Sequence, residues 1–514
     1  MSSNAEAIVN IRSGEIEGVL EDGVFSFKGV PYAAPPVDNL RWLPPQPVAP
    51  WEGVRPAKEY GAISPQNELP GGEIIPGKIE EPQDEDCLFL NVWTKGLDDG
   101  RRPVMVWIHG GAFIIGSGTE AMYRNGNIVT RGDVVLVTIN YRLGALGFMN
   151  LNEITGGKIP ATGCEGFLDQ VAGLEWIRDN IEAFGGDPDN ITVFGESAGG
   201  MSIASLMSMP LAKGKFHKAI LESGAGNTVC SLEEGVEAVA KFLDILGLKG
   251  KDADALRSLT TEQILDTQQK LGIYMMETEG RITPHQPVVD GVVLPGVPIE
   301  AIEKGSAADI KTLAGTNLEE FKLFAATDPT LHNIDDEGMV NRLKRLIPPE
   351  QVSKVVSAYR KARESRGENT SPKEILTAIQ TDLMFRVSCL KLVEAQCNNN
   401  QPAYNYLFTW KSPMMGGILG ACHALEIGFV LGNYNDSFCG SGTDAEELSR
   451  KMQDAWIAFA LTGDPSCESL GKWEPYCDNR TTMIFDRDCR IENAPYEEER
   501  AIWDTFDMLF TMPI

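Results

Sequence analysis

A serine at position 197 stands between small residues in a pattern that suits a nucleophile. Residues 195–199 read Gly-Glu-Ser-Ala-Gly and directly follow an apolar, β-branched run at 191–194. A serine held at a sharp turn between a strand and a helix presents its hydroxyl for attack, and its neighbours two positions away must be very small because the two elements approach closely. Gly195 and Gly199 meet that requirement. The segment predicts a nucleophilic serine, the alternative being a Gly/Ser turn without chemistry.

A serine hydroxyl needs a general base, and histidine is the side chain whose ordinary pKa suits that role at neutral pH. His109 belongs to a Gly-rich loop, His217 is expected at the surface, and His285 and His332 fall in predicted helical insertions. His423 follows the last predicted strand, where the α/β-hydrolase order of serine, acid and histidine requires the base. Elimination and chain order both favour His423.

The acid must lie between the serine and the histidine along the chain. The segment 313–321 ends a predicted strand and carries two candidates, Glu319 and Glu320. Spacing alone does not choose between them, and each could instead be a solvated acid at the start of a helix.

A Gly-rich loop follows the apolar run at 104–108 and reads His109-Gly110-Gly111-Ala-Phe. Glycines leave backbone N–H groups free to converge on one oxygen, as an oxyanion hole requires. Together with the amide of Ala198, this loop predicts stabilisation of a tetrahedral intermediate; the alternative is an ordinary glycine turn.

The strands that must position these residues are short, nearly continuous apolar runs. They fall at 104–108, 134–139, 191–194, 219–221, 310–314 and 404–408. The clearest helical pattern is 167–184, where apolar residues repeat every three or four positions until Gly185-Gly186 ends the helix. Alternating buried strands and helices predict an α/β fold, with a mainly parallel central sheet covered by helices on both faces.

The length of 514 residues would allow about three domains, but no linker, repeat or low-complexity tract divides the chain. We therefore predict one large α/β-hydrolase domain over 1–514, with insertions near 61–86, 225–309 and 325–400. The last two are rich in helix-forming residues, and we expect the insertions to form the pocket.

Composition excludes several classes of protein. The net charge is −28, which repels polyphosphate, so we expect no nucleic-acid partner. The first ten residues lack the pattern of a signal peptide, and no segment is long and apolar enough to span a membrane. Ten cysteines without a CxxC pair predict neither a zinc site nor a disulfide scaffold, and reduced thiols in a cytoplasmic protein fit best.

Taken together, these residues resemble the type-B carboxylesterases, the α/β-hydrolases that include cholinesterases and bacterial p-nitrobenzyl esterases, with the p-nitrobenzyl type nearest. The likeness extends over almost the whole chain. Besides the serine motif, it is carried in order by FKGVPYA at 27–33, EDCLFLNV at 85–92, NYRLG at 140–144, FGGDP at 184–188 and DAWIAF at 454–459.

The resemblance implies which glutamate is the acid. In the family the acid is the third residue after the Asn of a Gly-x-Asn segment, which here is Glu320 after Asn317. Glu319 then becomes the fallback.

The resemblance also implies supporting groups. It assigns the oxyanion hole to Gly110, Gly111 and Ala198, and it suggests that Glu196 and Ser223 form a buried polar network behind the triad. Neither metal nor cofactor is implied.

The sequence departs from the family pattern at three points. Cholinesterases join the cysteine equivalent to Cys87 to an upstream partner, but no cysteine precedes Cys87 here. The loop 62–86 has no Trp, whereas cholinesterases use one there to bind choline, so choline esters are disfavoured. Cys164 stands where the family usually has Asn, and the sequence offers no physical reason for it.

The resemblance implies a cytoplasmic serine carboxylesterase that hydrolyses small to medium-sized esters through Ser197, His423 and Glu320 and an acyl-enzyme. The expected partner is a small-molecule ester, and a monomer is compatible with the sequence. Two alternatives stay open: a non-catalytic cholinesterase-like interaction protein, and the same triad acting on carbamates, thioesters, lactones or amides.

Overall fold

The computed structural model describes residues 7–68, 81–124, 126–248, 252–279, 283–399 and 401–506. Its strands are β1 Ile8–Ile11, β2 Gly14–Glu17, β3 Val19–Glu21, β4 Val24–Pro31, β5 Val54–Pro56, β6 Phe89–Thr94, β7 Arg102–Ile108, β8 Val135–Ile139, β9 Gly186–Glu196, β10 Lys218–Glu222, β11 Cys230–Ser231, β12 Val288–Val289, β13 Lys311–Asn317, β14 Ala403–Phe408, β15 Thr481–Phe485 and β16 Arg490–Asn493.

Its α-helices are α1 Asn127–Gly132, α2 Gly144–Gly147, α3 Asn152–Thr155, α4 Glu165–Asn180, α5 Ala198–Ser208, α6 Leu232–Leu246, α7 Ala253–Arg257, α8 Thr261–Glu279, α9 Pro298–Glu303, α10 Lys322–Thr327, α11 Asp336–Leu343, α12 Pro349–Ser365, α13 Pro372–Thr381, α14 Val387–Asn398, α15 Ile427–Leu431, α16 Asp436–Cys439, α17 Thr443–Thr462 and α18 Glu497–Arg500.

One large sheet organises the described residues. Its eleven strands run in the order β16-β15-β14-β13-β10-β9-β7-β8-β6-β4-β3. The pairs from β8 through β15 are parallel, while β3, β4, β6 and β16 add antiparallel pairs at the two edges. Two smaller sheets, β1-β2-β5 and β11-β12, lie outside it.

Strand β7 shows why the central strands are continuously apolar. Val104, Val106 and Ile108 belong to the core that α4 and α5 cover, whereas Met105 and Trp107 belong to the core that α15 and α17 cover. Successive strand side chains point to opposite faces, so a sheet covered on both sides needs apolar residues at every position. The α/β-hydrolase architecture expected from the sequence is confirmed.

All six predicted strands are present, as β7, β8, β9, β10, β13 and β14. The sequence analysis did not predict β15 and β16, which follow β14. β15 begins with two Thr residues and β16 is exposed and polar, so neither forms a run of purely apolar residues.

Helix α4 and its ending follow the sequence pattern. A 3₁₀ turn at Ile181–Phe184 continues α4, and Gly185 ends it in the left-handed conformation with φ 72°. Glycine adopts this conformation at little cost. A buried ion pair, Arg142 Nη2 to Asp169 Oδ1 at 2.7 Å, ties α4 to the segment after β8.

The helices of the predicted insertions are α6 to α9 within 225–309 and α10 to α14 within 325–400, although α10 begins three residues earlier. Of the insertion near 61–86, residues 69–80 lie outside the described residues. The single-domain organisation stays a prediction. In the described part of the chain, no helix combines the length and the apolar character that crossing a membrane requires.

The expectation of reduced thiols is wrong at two positions. Cys397, near the end of α14, forms a disulfide with Cys477, in the loop before β15, across 80 residues of sequence. The hydrogen bond from Tyr476 N to Ala403 O, 2.8 Å, places this loop beside the start of β14. Such a distant pair leaves no local spacing pattern in the sequence. Within the described residues, no disulfide is formed by Cys87, Cys164, Cys389, Cys422, Cys439, Cys467 or Cys489.

Candidate active site

The candidate residues follow neighbouring parallel strands of the sheet. The Gly-rich loop follows β7, Ser197 follows β9, Ser223 follows β10, Glu320 comes after β13, and His423 comes after β14. The carboxyl ends of parallel strands share one edge of a sheet, where open α/β folds bind their ligands. Residues separated by up to 314 positions in sequence therefore meet at one edge.

Ser197 occupies a strained turn between β9 and α5. Its backbone has φ 54° and ψ −122°, which is rare for a residue with a side chain. A methyl group at Gly199 would lie 2.0 Å from the carbonyl oxygen of Ile108, and one at Gly195 would lie 2.3 Å from the same oxygen. Only glycine at both positions lets strand and helix approach closely enough to hold this turn.

Glu320 and His423 are joined directly. Nδ1 of His423 lies 2.7 Å from Oε2 of Glu320, and both side chains are buried. The other carboxylate oxygen, Oε1, accepts from Asn317 N and from Ser223 Oγ, each at 2.6 Å. Because Nδ1 faces a carboxylate, it carries the proton and leaves the lone pair on Nε2 free.

The structure does not bring Ser197 Oγ into a hydrogen bond with the imidazole. Nε2 of His423 lies instead 3.2 Å from Oε1 of Glu196. Only 7% of Ser197 is exposed, and its hydroxyl has no hydrogen-bond partner among the described residues. Catalytic hydrogen bonds are often long or absent in unliganded enzymes and form when substrate binds.

Several buried carboxyl groups surround Glu320 and His423. Burial raises the pKa of Glu222 to about 8, and its Oε1 accepts from the indole of Trp456 at 2.8 Å. Burial, with the charges of Glu320 and Glu222, raises the pKa of Glu426 to about 8. Burial and the nearby carboxyl groups, Glu426 first, hold the pKa of Glu196 well above its usual range. Glu222 and Glu426 are therefore largely protonated at neutral pH, and the raised pKa of Glu196 acts in the same direction, so the negative charge near the imidazole is limited.

The Gly-rich loop lies against the serine turn. A methyl group at Gly110 would lie 3.2 Å from Ser197 Cβ, so the loop backbone is packed on the serine. The amides of Gly110 and Gly111 have no acceptor within the described residues. Ala198 is the first residue of α5, where an N–H has no partner in its own helix. Three amides in the serine turn and in the loop beside it are thus without an acceptor among the described residues.

Contacts away from the Glu320–His423 pair are made by His109, His217 and His285. His109 is buried against the ring of Tyr141, 4.4 Å between centroids, and burial lowers its pKa to about 4. Nδ1 of His217 accepts from Ile191 N, at the middle of β9 and six residues before the serine. His285 is buried beside Phe242.

Glu319, the fallback acid, holds the histidine loop and does not contact the imidazole. Its Oε1 pairs with Lys322 Nζ at 2.7 Å, and its Oε2 accepts from Ala421 N at 3.0 Å. Glu319 N also donates to Ala421 O. These bonds fix the loop two residues before His423.

The sequence analysis missed four neighbours of the pair. Asn317 Nδ2 donates to Glu426 Oε2 at 2.5 Å, so this amide links β13 to the residue three after His423. Phe324 and Phe385 pack against the imidazole, with ring centroids 5.3 and 4.7 Å away. Glu426 and Asn317 could have been suspected from their closeness in sequence to the candidates, but Phe385 carries no such signal.

Cys164, unexplained in the sequence, has a structural partner. Its Sγ lies 3.1 Å from the carbonyl oxygen of Val288 in β12, and the thiol is buried. The thiol donates this bond and so joins the start of α4 to the small sheet of the 225–309 insertion.

Comparison with known proteins places the chain in a family. A family model described as the carboxylesterase family matches residues 5–503. The chain belongs to the carboxylesterase family. This esterase is 39% identical to the para-nitrobenzyl esterase of Bacillus subtilis (strain 168), over 96% of this chain and 97% of that protein. It is 36% identical to the phenmedipham hydrolase of Pseudarthrobacter oxydans, over 91% of this chain and 92% of that one.

Solved structures agree. A carboxylesterase of Geobacillus stearothermophilus is 36% identical to the esterase and superposes with a TM-score of 0.86, covering 97% of this chain and all of that one. A PNB esterase superposes with a TM-score of 0.84 at 38% identity, over 97% and 100% of the two chains. These findings confirm the predicted family, the fold and the assignment as a carboxylic ester hydrolase.

Proposed function

We propose that the esterase hydrolyses carboxylic esters of small to medium size through a catalytic triad of Ser197, His423 and Glu320. The observation that carries the proposal is the 2.7 Å contact between Glu320 and His423 at the sheet edge where Ser197 stands in its strained turn. A nucleophile, a base and a group that orients the base are the three parts that serine hydrolysis requires.

In the proposed acylation step, Ser197 Oγ moves into reach of Nε2 and attacks the ester carbonyl carbon while its proton passes to Nε2. The carbonyl oxygen becomes an oxyanion held by the amides of Gly110, Gly111 and Ala198. Glu320 stabilises the imidazolium through Nδ1–H. The bond to the alcohol oxygen then breaks, and His423 gives its proton to the departing alkoxide.

Deacylation repeats the step with water. His423 takes a proton from the water as its oxygen attacks the acyl-serine, and the proton returns to Ser197 Oγ when the acid leaves. Glu196 and Ser223 support the pair in this proposal. Ser223 donates to Glu320 Oε1, and Glu196, whose pKa is raised by burial, places its carboxyl beside Nε2.

The test is hydrolysis of p-nitrophenyl esters from acetate to decanoate by the wild type and four variants. We expect Ser197→Ala and His423→Ala to lose nearly all turnover, by 10⁴-fold or more, on the order seen when a triad member is removed. Glu320→Gln should lose far more than its neighbour Glu319→Gln, which is the matched control for the acid. Equal losses in these two variants would contradict the assignment of the acid.

The same assay decides between the alternatives. Carbamates, thioesters, lactones and amides run beside the esters test whether another acyl donor is preferred, since the triad alone does not select among them. A wild type with neither turnover nor labelling by a serine-reactive phosphonate would favour the non-catalytic interaction protein.

The cytoplasmic location and the oligomeric state stay predictions. Disulfides are rare in a reducing cytosol, so the Cys397–Cys477 bond weighs against the cytoplasm. Cell fractionation tests the location, and light scattering of the purified protein tests the oligomeric state.

A further inference from the structure

A π-helical turn at Asp382–Arg386 interrupts the helix formed by α13 and α14. The turn is identified by the hydrogen bond from Val387 N to Asp382 O, which joins residues five apart, whereas an α-helix joins residues four apart. One extra residue in a turn redirects the side chains that follow it by about 100°. Such turns occur often at functional sites.

Phe385 lies in this turn and packs against the imidazole of His423. The two ring centroids are 4.7 Å apart and their planes are inclined by 37°. Phe324, from the helix that follows the acid, supplies a second ring at 5.3 Å. Phe324 and Phe385 are themselves nearly parallel, at 6.2 Å and 10°. The imidazole therefore contacts a carboxylate at Nδ1 and packs against two aromatic rings.

Buried polar contacts fix the turn itself. Asp382 and Arg386, at its two ends, form an ion pair with two contacts of 2.8 Å, Nε to Oδ1 and Nη2 to Oδ2. Tyr359 donates its hydroxyl to Asp382 and accepts from the indole of Trp503. Breaking a buried pair is costly, so the turn has one stable geometry.

A second bond ties the turn to the acid. Phe321 N, adjacent to Glu320, donates to Thr381 Oγ1 at 3.1 Å, immediately before the π turn. The segment that bears the acid and the segment that bears Phe385 are thus held in register with each other.

We propose that Phe385 is a positioning residue for the histidine of the triad, an inference that rests on the proposed function. The bond from Nδ1 to Glu320 fixes one edge of the imidazole but leaves the ring able to swing about that edge. Contact with Phe385, reinforced by Phe324, restricts the swing and keeps Nε2 directed to the side of the serine. The helical insertion at 325–400 therefore contributes to the geometry of the reaction.

The test compares Phe385→Leu, Phe385→Met and Phe385→Tyr with Phe216→Leu, whose phenyl ring shares the same core cluster but does not contact the imidazole. With p-nitrophenyl acetate, we expect kcat of Phe385→Leu to fall about 10- to 100-fold with KM changed less than about threefold, the scale of a small misplacement of a catalytic group. Labelling by a fluorophosphonate should slow in parallel. Phe385→Tyr, which keeps the ring, should restore most of kcat, and Phe216→Leu should keep it.

Cooperative urea unfolding of each variant identifies those that fold, and Phe385→Met, which fills nearly the same volume, replaces Phe385→Leu if the latter does not. Unchanged kcat in the ring-less variants while Ser197→Ala is inactive would refute the positioning role and leave the proposed function standing. Equal loss in Phe216→Leu would also refute it, because the effect would be one of general destabilisation. A wild type without turnover or labelling would overturn the function itself.

Discussion

The closest contact at the serine turn yields a quantitative prediction for Gly199→Ala. The new methyl carbon would lie 2.0 Å from the carbonyl oxygen of Ile108, about 1.4 Å short of an ordinary contact of ~3.4 Å. Both atoms belong to backbone or are attached to it, so no side chain can turn away. Strand β7 and helix α5 must therefore separate, and Ser197 sits at the end of that helix.

The expected cost follows from this displacement. Overpacking a close-packed site destabilises a protein by about 1–3 kcal/mol, and moving a catalytic group by about 1 Å costs about 10²-fold in rate. We therefore expect kcat/KM for p-nitrophenyl acetate to fall about 10²-fold or more, with the free energy of unfolding in urea lowered by about 1–3 kcal/mol.

Gly173→Ala is the matched control. A methyl group there, in the middle of α4, would lie 3.6 Å from a side-chain carbon of Ile139, an ordinary contact. Replacing a helical glycine with alanine stabilises by up to about 1 kcal/mol, so this variant should be at least as stable as the wild type and equally active. A Gly199→Ala variant with wild-type kcat/KM would refute the account of the turn.

Three further predictions concern stability. Asp169→Asn should lower the free energy of unfolding by about 3–5 kcal/mol, because it leaves the buried Arg142 guanidinium unpaired. An Arg142→Met, Asp169→Leu double variant should recover part of this loss. A further loss of stability in its urea titration would contradict the pairing. The double variant Cys397→Ser, Cys477→Ser should have a free energy of unfolding lower by up to about 4.5 kcal/mol, the loop-closure entropy for a separation of 80 residues, and an unchanged kcat/KM. An unfolding midpoint of the wild type that does not respond to a reducing agent would count against the disulfide. Burial raises the pKa of Glu222 to about 8 from its ordinary 4.5, so the folded chain retains a proton that the unfolded chain releases, and stability falls as pH rises from about 5 to 8. Glu222→Gln should remove that share of the slope, about 1.4 kcal/mol per pH unit at most, and exposed Glu237→Gln should not.

Much of the fold and of the candidate site could be predicted from local sequence. The serine turn needs glycine at two fixed positions, and the central strands must be apolar at every position, so both leave strong local patterns. The same holds for the end of α4 at Gly185. The choice of Glu320 over Glu319 came from the family resemblance, and the structure adds that Glu319 is occupied by Lys322 and Ala421.

Other features depend on contacts between distant segments and leave no local pattern. Cys397 and Cys477 meet only because the loop before β15 is bonded to the start of β14. Phe385 lies in a π turn and contacts His423, and no periodicity distinguishes such a turn from the surrounding helix. The buried carboxyl groups are brought together by the sheet edge, so their raised pKa values follow from the fold.

The measurement that tests the central claim most directly is covalent labelling with a fluorophosphonate, followed by intact mass and peptide mapping. The account predicts one phosphonyl adduct per chain, on the peptide that contains Ser197, with loss of ester turnover in proportion to labelling and no adduct in Ser197→Ala. Ester turnover that persists in a fully labelled protein, or an adduct on another residue that abolishes turnover, would contradict the account.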